Sequence, residues 1–131
     1  MEKAKIYAPS VLRIGLALVF LWFGTDQLMN NQAWTAYIPQ SVIDISNLSA
    51  TTLVYVNGIF EIVFGTLLLL GLLTRFTAFV LALHMLDITY VVGFDSIGVR
   101  DFGLSIAAIA VWLYGADLLT LDRFIRGKVQ P

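Results

Sequence analysis

The chain is 131 residues long, 59% hydrophobic and 13% charged, with a mean hydropathy of +0.85; soluble domains carry about twice that charged fraction. Its formal net charge of -1 comes without any basic stripe interleaved with aromatics, which excludes nucleic acid as a partner, and the absence of cysteine excludes disulfides, iron–sulfur ligation and thiol redox chemistry within the chain. A water-soluble domain of this size cannot bury so much apolar surface, so the expected fold is all-α, an integral membrane four-helix bundle forming a single membrane domain.

In chain order, Lys3 and Lys5 precede an apolar run over 11–23 in the manner of a signal peptide. No small-x-small cleavage site follows it, and the run is expected to be retained as the first helix. Crossing a bilayer takes about 20 mostly apolar residues. Spans are predicted over 11–28, 53–73, 76–93 and 102–119. The polar stretch between the first two carries Trp34, Tyr37 and Pro39, aromatics expected at the headgroup layer. Leu73-Thr74-Arg75 forces the second and third helices into an antiparallel hairpin, and 94–98 reads as a loop with Asx-turn and glycine signals. The tail, 120–131, sets Leu121, Phe124 and Ile125 beside Asp122, Arg123 and Arg126, an amphipathic pattern suited to a membrane surface.

The basic residues give the orientation. Lys3, Lys5, Arg13, Arg75, Arg123, Arg126 and Lys128 fall on the side shared by the termini and the second loop, leaving Arg100 opposite. By the positive-inside rule both termini face the cytoplasm, and the expected location is the inner (plasma) membrane, crossed several times. Small residues punctuate the spans, among them Gly15, Gly24, Gly58, Gly65 and Gly103, and allow helices to approach closely where lipid gives no hydrophobic incentive to associate.

Ionisable side chains within apolar runs call for a reason, since each costs about 2.5–3.5 kcal/mol at the bilayer centre. Glu61 stands in the second helix with Asn57 one turn earlier on the same face. His84 and Asp87, three apart, share a face of the third. Counting from Arg75 at 1.5 Å per residue puts Glu61 about 21 Å, His84 about 14 Å and Asp87 about 18 Å above the inner boundary. Asp26, Arg100 and Asp101 belong to the outer leaflet and are placed to meet them. The expected picture is a polar pocket open to the outer face, in which four carboxylates meet one guanidinium and one imidazole. Such an excess of acid points to proton handling or to binding a polar head such as a quinone carbonyl. The structural alternative is a clasp, with Arg100 bridging carboxylates and Asn57 bonding across a helix interface.

His84 is expected to hydrogen-bond or shuttle protons with Asp87. One histidine cannot supply both axial ligands of a haem, and His84 and Met85 point about 100° apart, so no metal site is expected. Arg13 is expected to anchor the first helix, by snorkelling to the headgroups or by pairing with Asp117, and Arg75 to anchor the inner hairpin. No catalytic residue is assigned, because no triad, P-loop, nucleotide fingerprint or metalloprotease motif is present.

Several short motifs together carry a resemblance. Arg13-Ile14-Gly15 opens the first helix, which ends in Phe23-Gly24 and Asp26-Gln27-Leu28. Asn57-Gly58, Glu61, Gly65 and Leu70-Gly71-Leu72-Leu73-Thr74-Arg75 follow in the second, and Thr120-Leu121-Asp122-Arg123 stands in the tail. In these features the chain resembles the DoxX/DoxD-like family of small four-helix membrane proteins. The family's name comes from a subunit of a thiosulfate:quinone oxidoreductase, and other relatives look like redox-complex partners or assembly chaperones. The resemblance implies that Arg13, Glu61 and Arg100 are the positions to test first. It also implies a small subunit or accessory of a quinone-linked redox complex, with no intrinsic cofactor, a quinone as ligand, and a complex partner or a second copy of the chain beside it in the bilayer. The alternatives are a non-enzymatic lipid-binding or assembly partner and a small proton-coupled transporter; the latter lacks paired broken helices.

Overall fold

The computed structural model describes residues 1–129, with side chains described to residue 127, so the side chain of Lys128 lies outside the described residues. The elements are α1 (Glu2–Met29), α2 (Asn31–Thr35), α3 (Gln40–Ser46), α4 (Ala50–Leu70), α5 (Thr74–Val92), α6 (Ser96–Tyr114) and α7 (Leu121–Val129). Among the described residues, α1, α4, α5 and α6 are long and apolar enough to cross a membrane. They run alternately up and down, so the termini and the 71–73 turn share one end, here the proximal end, and segment 30–49 and the 93–95 turn share the other, the distal end.

The boundaries differ from the apolar runs for local reasons. α1 begins well ahead of residue 11, its first turn carrying a Lys5–Glu2 pair at 2.9 Å. α6 stops at Tyr114, short of 119, because Gly115 turns the chain with φ +82 and sends Asp117 back into the bundle. The turn between α4 and α5 is built on Gly71 at φ +67, whose N–H reaches the carbonyls of the last α4 turn while Leu72 N–H reaches Leu67 O, a left-handed helix cap that favours glycine. Segment 30–49, read from the sequence as a polar connection, folds into α2 and α3, of which α2 lies against α1 and α4.

α1 packs along α4 and α5 along α6, and the two pairs join more sparsely through α1 against α6 and α4 against α5. The α1–α4 contact is closest at Gly24 and Gly58. A Cβ on Gly24 would stand 2.8 Å from Gly58 O, so glycine is what lets these backbones meet. Leu16, Ala17, Phe20, Leu68, Ala78, Leu81, Ala82, Met85, Ala108 and Val111 form the apolar core between the helices. The outer surface displays Val11, Leu18, Ile59, Val63, Phe76, Leu83 and Leu113. Such a face is suited to lipid chains rather than water.

Candidate functional site at the distal end

Because the two helix pairs meet loosely, the bundle is open at its distal end and holds a cavity of about 430 Å³. This lies within the range of about 300–1,000 Å³ usual for small-molecule sites. Phe20 and Phe23 of α1, Phe60 of α4, Ile88 of α5 and Leu104 of α6 form apolar walls, and Trp34, Tyr37 and Val42 cover it from α2, α3 and their link. The cover is fastened by Trp34 Nε1 donating to Asp26 Oδ2 at 2.8 Å and Asn31 Nδ2 donating to Thr51 O at 3.2 Å.

A connected set of polar side chains stands among these walls. Gln27 Nε2 donates to Glu61 Oε2 at 3.0 Å; Asn57 Nδ2 donates to Glu61 Oε1 at 3.1 Å and to Gln27 Oε1 at 2.7 Å. Glu61 is 3% exposed, one turn from Asn57 on α4, and Gln27 reaches it because Gly24 and Gly58 bring α1 close. His84 Nε2 lies 3.8 Å from Glu61 Oε1, beyond hydrogen-bond length, and among the described residues this buried nitrogen has no hydrogen-bond partner. The imidazole rests against Phe60 with ring centroids 4.3 Å apart. Across the cavity, Arg100 is paired with Asp101 at 2.7 Å and lies over the Phe23 ring at 4.2 Å.

The residues singled out from the sequence are thus partly gathered. Glu61, Asn57, His84, Asp87, Arg100 and Asp101 all line the one cavity. Asp26 does not; it holds the cover, accepting from Trp34 and from Asn30 Nδ2 at 2.6 Å. The expected partnership of His84 with Asp87 is replaced by the approach to Glu61, because α4 packs the Glu61 side chain over the imidazole whereas Asp87 is exposed at the cavity margin. Arg100 engages a single carboxylate, its neighbour on α6, instead of bridging two. Gln27 and Trp34 were not singled out as site residues. A glutamine one turn beyond Phe23-Gly24 on an apolar face was the available signal for Gln27.

Arg13 belongs to a separate construction at the proximal end. It is fully buried, with Nε on Asp117 Oδ2 at 2.7 Å, Nη1 on the carbonyls of Leu68 and Leu69 at 2.7 and 2.6 Å, and Nη2 on Leu119 O at 3.0 Å. Pairing with Asp117 therefore holds and snorkelling does not. Burial opposes the charge on Asp117, but hydrogen bonds from Arg13, Ser10 Oγ at 2.6 Å and Leu119 N–H outweigh it and hold the carboxyl below the usual aspartate range. Asp122 caps the start of α5, accepting from Leu73 N at 2.8 Å and from Thr74 N and Oγ1, both at 2.7 Å. Burial again opposes its charge, and the Thr74 and Leu73 bonds prevail and lower its pKa. Arg75, exposed at the same end, packs its Nε beside Gly115. Among the described residues no group of three or more His, Asp or Glu converges to hold a metal ion.

Comparison with known proteins places this architecture. The family model described as DoxX matches residues 8–93, which takes in all but the first turns of α1, then α2 through α5, and most of the distal polar set. An uncharacterised protein of Haemophilus influenzae is 33% identical over 85 residues, 65% of this chain and 58% of the relative, so the chain spans little more than half the length of the relative it matches. No solved structure matches.

Proposed function

The chain belongs to the DoxX family, and from that membership we propose that it is a small subunit or accessory of a quinone-linked membrane redox complex, in which the distal cavity holds the head of a lipophilic ligand and exchanges protons with it. One observation carries this reading: Glu61, its two amide partners and His84, whose Nε2 has no hydrogen-bond partner among the described residues, share with Arg100 a chamber walled by Phe20, Phe23, Phe60 and Trp34. Apolar and aromatic walls with a few convergent polar groups suit a flat ring with polar substituents and an apolar tail. Buried ionisable groups in a bundle interior mark proton or ligand sites in membranes. Electrons leave or arrive through a partner subunit, since the chain has no thiol to carry them. The orientation belonging to this proposal has both termini cytoplasmic in the inner membrane and the cavity opening to the outer leaflet.

Mild extraction of the tagged protein from native membrane, with mass spectrometry of co-purified proteins and lipophilic small molecules, tests it. A quinone recovered with the wild-type chain, lost in Glu61→Gln and accompanied by oxidoreductase subunits, is the expected outcome. Recovery of a client protein or a phospholipid, with no quinone in either sample, would transfer the assignment to an assembly or lipid-binding role.

A further inference from the structure

We propose, on the premise that the distal chamber holds the head of a lipophilic ligand, that the ligand enters and leaves sideways through the seam between α4 and α5, and that its tail lies in that seam, among the lipid chains, while the head is bound.

The residues that both line the chamber and are exposed mark its mouth. On the long helices these are Val56 of α4, 56% exposed, and Asp87 and Val91 of α5, the latter 38% exposed, whereas every lining residue of α1 and α6 is buried or half-buried. Contacts are close within the α1–α4 and α5–α6 pairs, so two looser seams are left, α1 against α6 and α4 against α5. At the distal end Arg100 bridges the first of them, its guanidinium lying over the Phe23 ring at 4.2 Å. The second is bridged deeper in, by Phe60 against His84 at 4.3 Å. Val56 stands one turn beyond Phe60 toward the distal end, and Asp87 and Val91 stand one and two turns beyond His84. The seam is therefore lined by chamber residues that are open to the outside just where the ring contact ends. Above it the cover is held by Trp34 on Asp26 and Asn31 on Thr51; of its lining residues Tyr37 is exposed and Trp34, Ile38, Pro39 and Val42 are half-buried.

Depth decides what can use such a mouth. At 1.5 Å per residue Val56 lies about 9 Å from the distal end of α4, and Asp87 about 8 Å from that of α5. α5 has 19 residues and so just spans a hydrocarbon core of about 30 Å, which sets the mouth in the outermost third of the span, beside acyl chains. An amphiphile dissolved in that leaflet reaches it by lateral diffusion and keeps its tail in lipid; a water-soluble molecule must first cross the headgroup layer. Asp87 has no hydrogen bond or ion pair among the described residues. Its carboxyl offers a passing polar head a hydrogen-bonding partner in either protonation state, where lipid chains offer none.

The test uses the full chain in lipid nanodiscs and a short-chain ubiquinone carrying a photoreactive diazirine at the end of its tail. Irradiation and peptide mass spectrometry should place the label on lipid-facing residues of α4 and α5 around the mouth, and excess unlabelled short-chain ubiquinone should reduce that labelling several-fold. Competed labelling on the α1–α6 side or on the α2–α3 cover would overturn the lateral mouth while leaving the quinone reading intact. Labelling that excess quinone leaves unchanged everywhere would remove the quinone reading and this inference with it. A kinetic measurement adds a second check in this cysteine-free chain. Val91→Cys alkylated with a bulky maleimide should take up and release short-chain ubiquinone several-fold more slowly, whereas Leu83→Cys, exposed on α5 away from the chamber, should be unaffected by the same treatment. Equal rates in the two alkylated proteins would overturn the route.

Discussion

Arg13 shows how differently two buried charges serve in one chain. Its guanidinium neutralises Asp117, closes the last carbonyls of α4 and holds the 115–120 turn, all without touching the distal cavity. Removing one partner of a buried, fully bonded pair typically costs about 3–5 kcal/mol. Arg13→Met is therefore predicted to lower thermal stability in detergent by that amount, whereas Glu61→Gln, which keeps the size of the side chain but sets its NH2 against one of the two amide donors, costs less, about 1–3 kcal/mol, and acts on ligand binding as well. A melting comparison of the two variants checks both halves. Asp117 and Asp122 add a pH signature. Their folded pKa values lie below the unfolded ones, so their contribution is complete above about pH 4 and is lost as the pH falls through the folded values. Melting points should drop on acidification from about pH 5 to pH 3, and Asp122→Asn, which loses the pH-dependent part of the α5 cap, should show a shallower drop. At this scale the acids were legible because each interrupts an apolar run. Their partners were not: spacing on one helix relates His84 to Asp87, whereas the rotation of α4 against α5 that brings Glu61 over the imidazole is a property of packing.

The elements matter through how closely they approach. Gly24 and Gly58 let α1 and α4 touch, and that closeness carries Gln27 to Glu61. Gly58→Ala would place a Cβ 3.0 Å from Gly24 O and 3.1 Å from Gln27 Cβ, and overpacking of this kind typically costs about 1–3 kcal/mol. The prediction is a loss of that size in thermal stability together with weakened ligand binding, since the helices separate where the amide meets the carboxylate. Calorimetric titration beside a melting curve checks the pairing of effects. The glycine pattern announced close helices, and Leu73-Thr74-Arg75 announced the hairpin, because turn chemistry and small-residue contacts are local signals. α2 and α3 were not legible. Trp34 and Tyr37 look like headgroup aromatics in sequence, and only the fastening of Trp34 to Asp26 turns the segment inward as a cover.

At the scale of the molecule, the design is a closed end and an open one. The proximal end is sealed by the Arg13–Asp117 and Asp122 contacts and an apolar core; the distal end keeps α1–α4 and α5–α6 apart around a chamber. The four-helix membrane architecture was readable from span length and composition alone, whereas the chamber arises from unequal packing between helix pairs, which hydropathy does not encode. Orientation is testable without background labelling, as the natural chain has no cysteine. Lys3→Cys is predicted to resist a membrane-impermeant thiol reagent in intact cells and Asn47→Cys to react; the reverse pattern would turn the cavity toward the cytoplasm.

The most direct measurement of the central claim, that the distal chamber binds a quinone-type head through Glu61, uses Trp34 as its reporter. With Trp22 and Trp112 replaced by Phe, Trp34 is the last of the three tryptophans and lines the chamber. Titration with a short-chain quinone should quench its fluorescence saturably in this background and several-fold more weakly once Glu61→Gln is added. Linear, unsaturable quenching that is identical in both proteins would contradict the account.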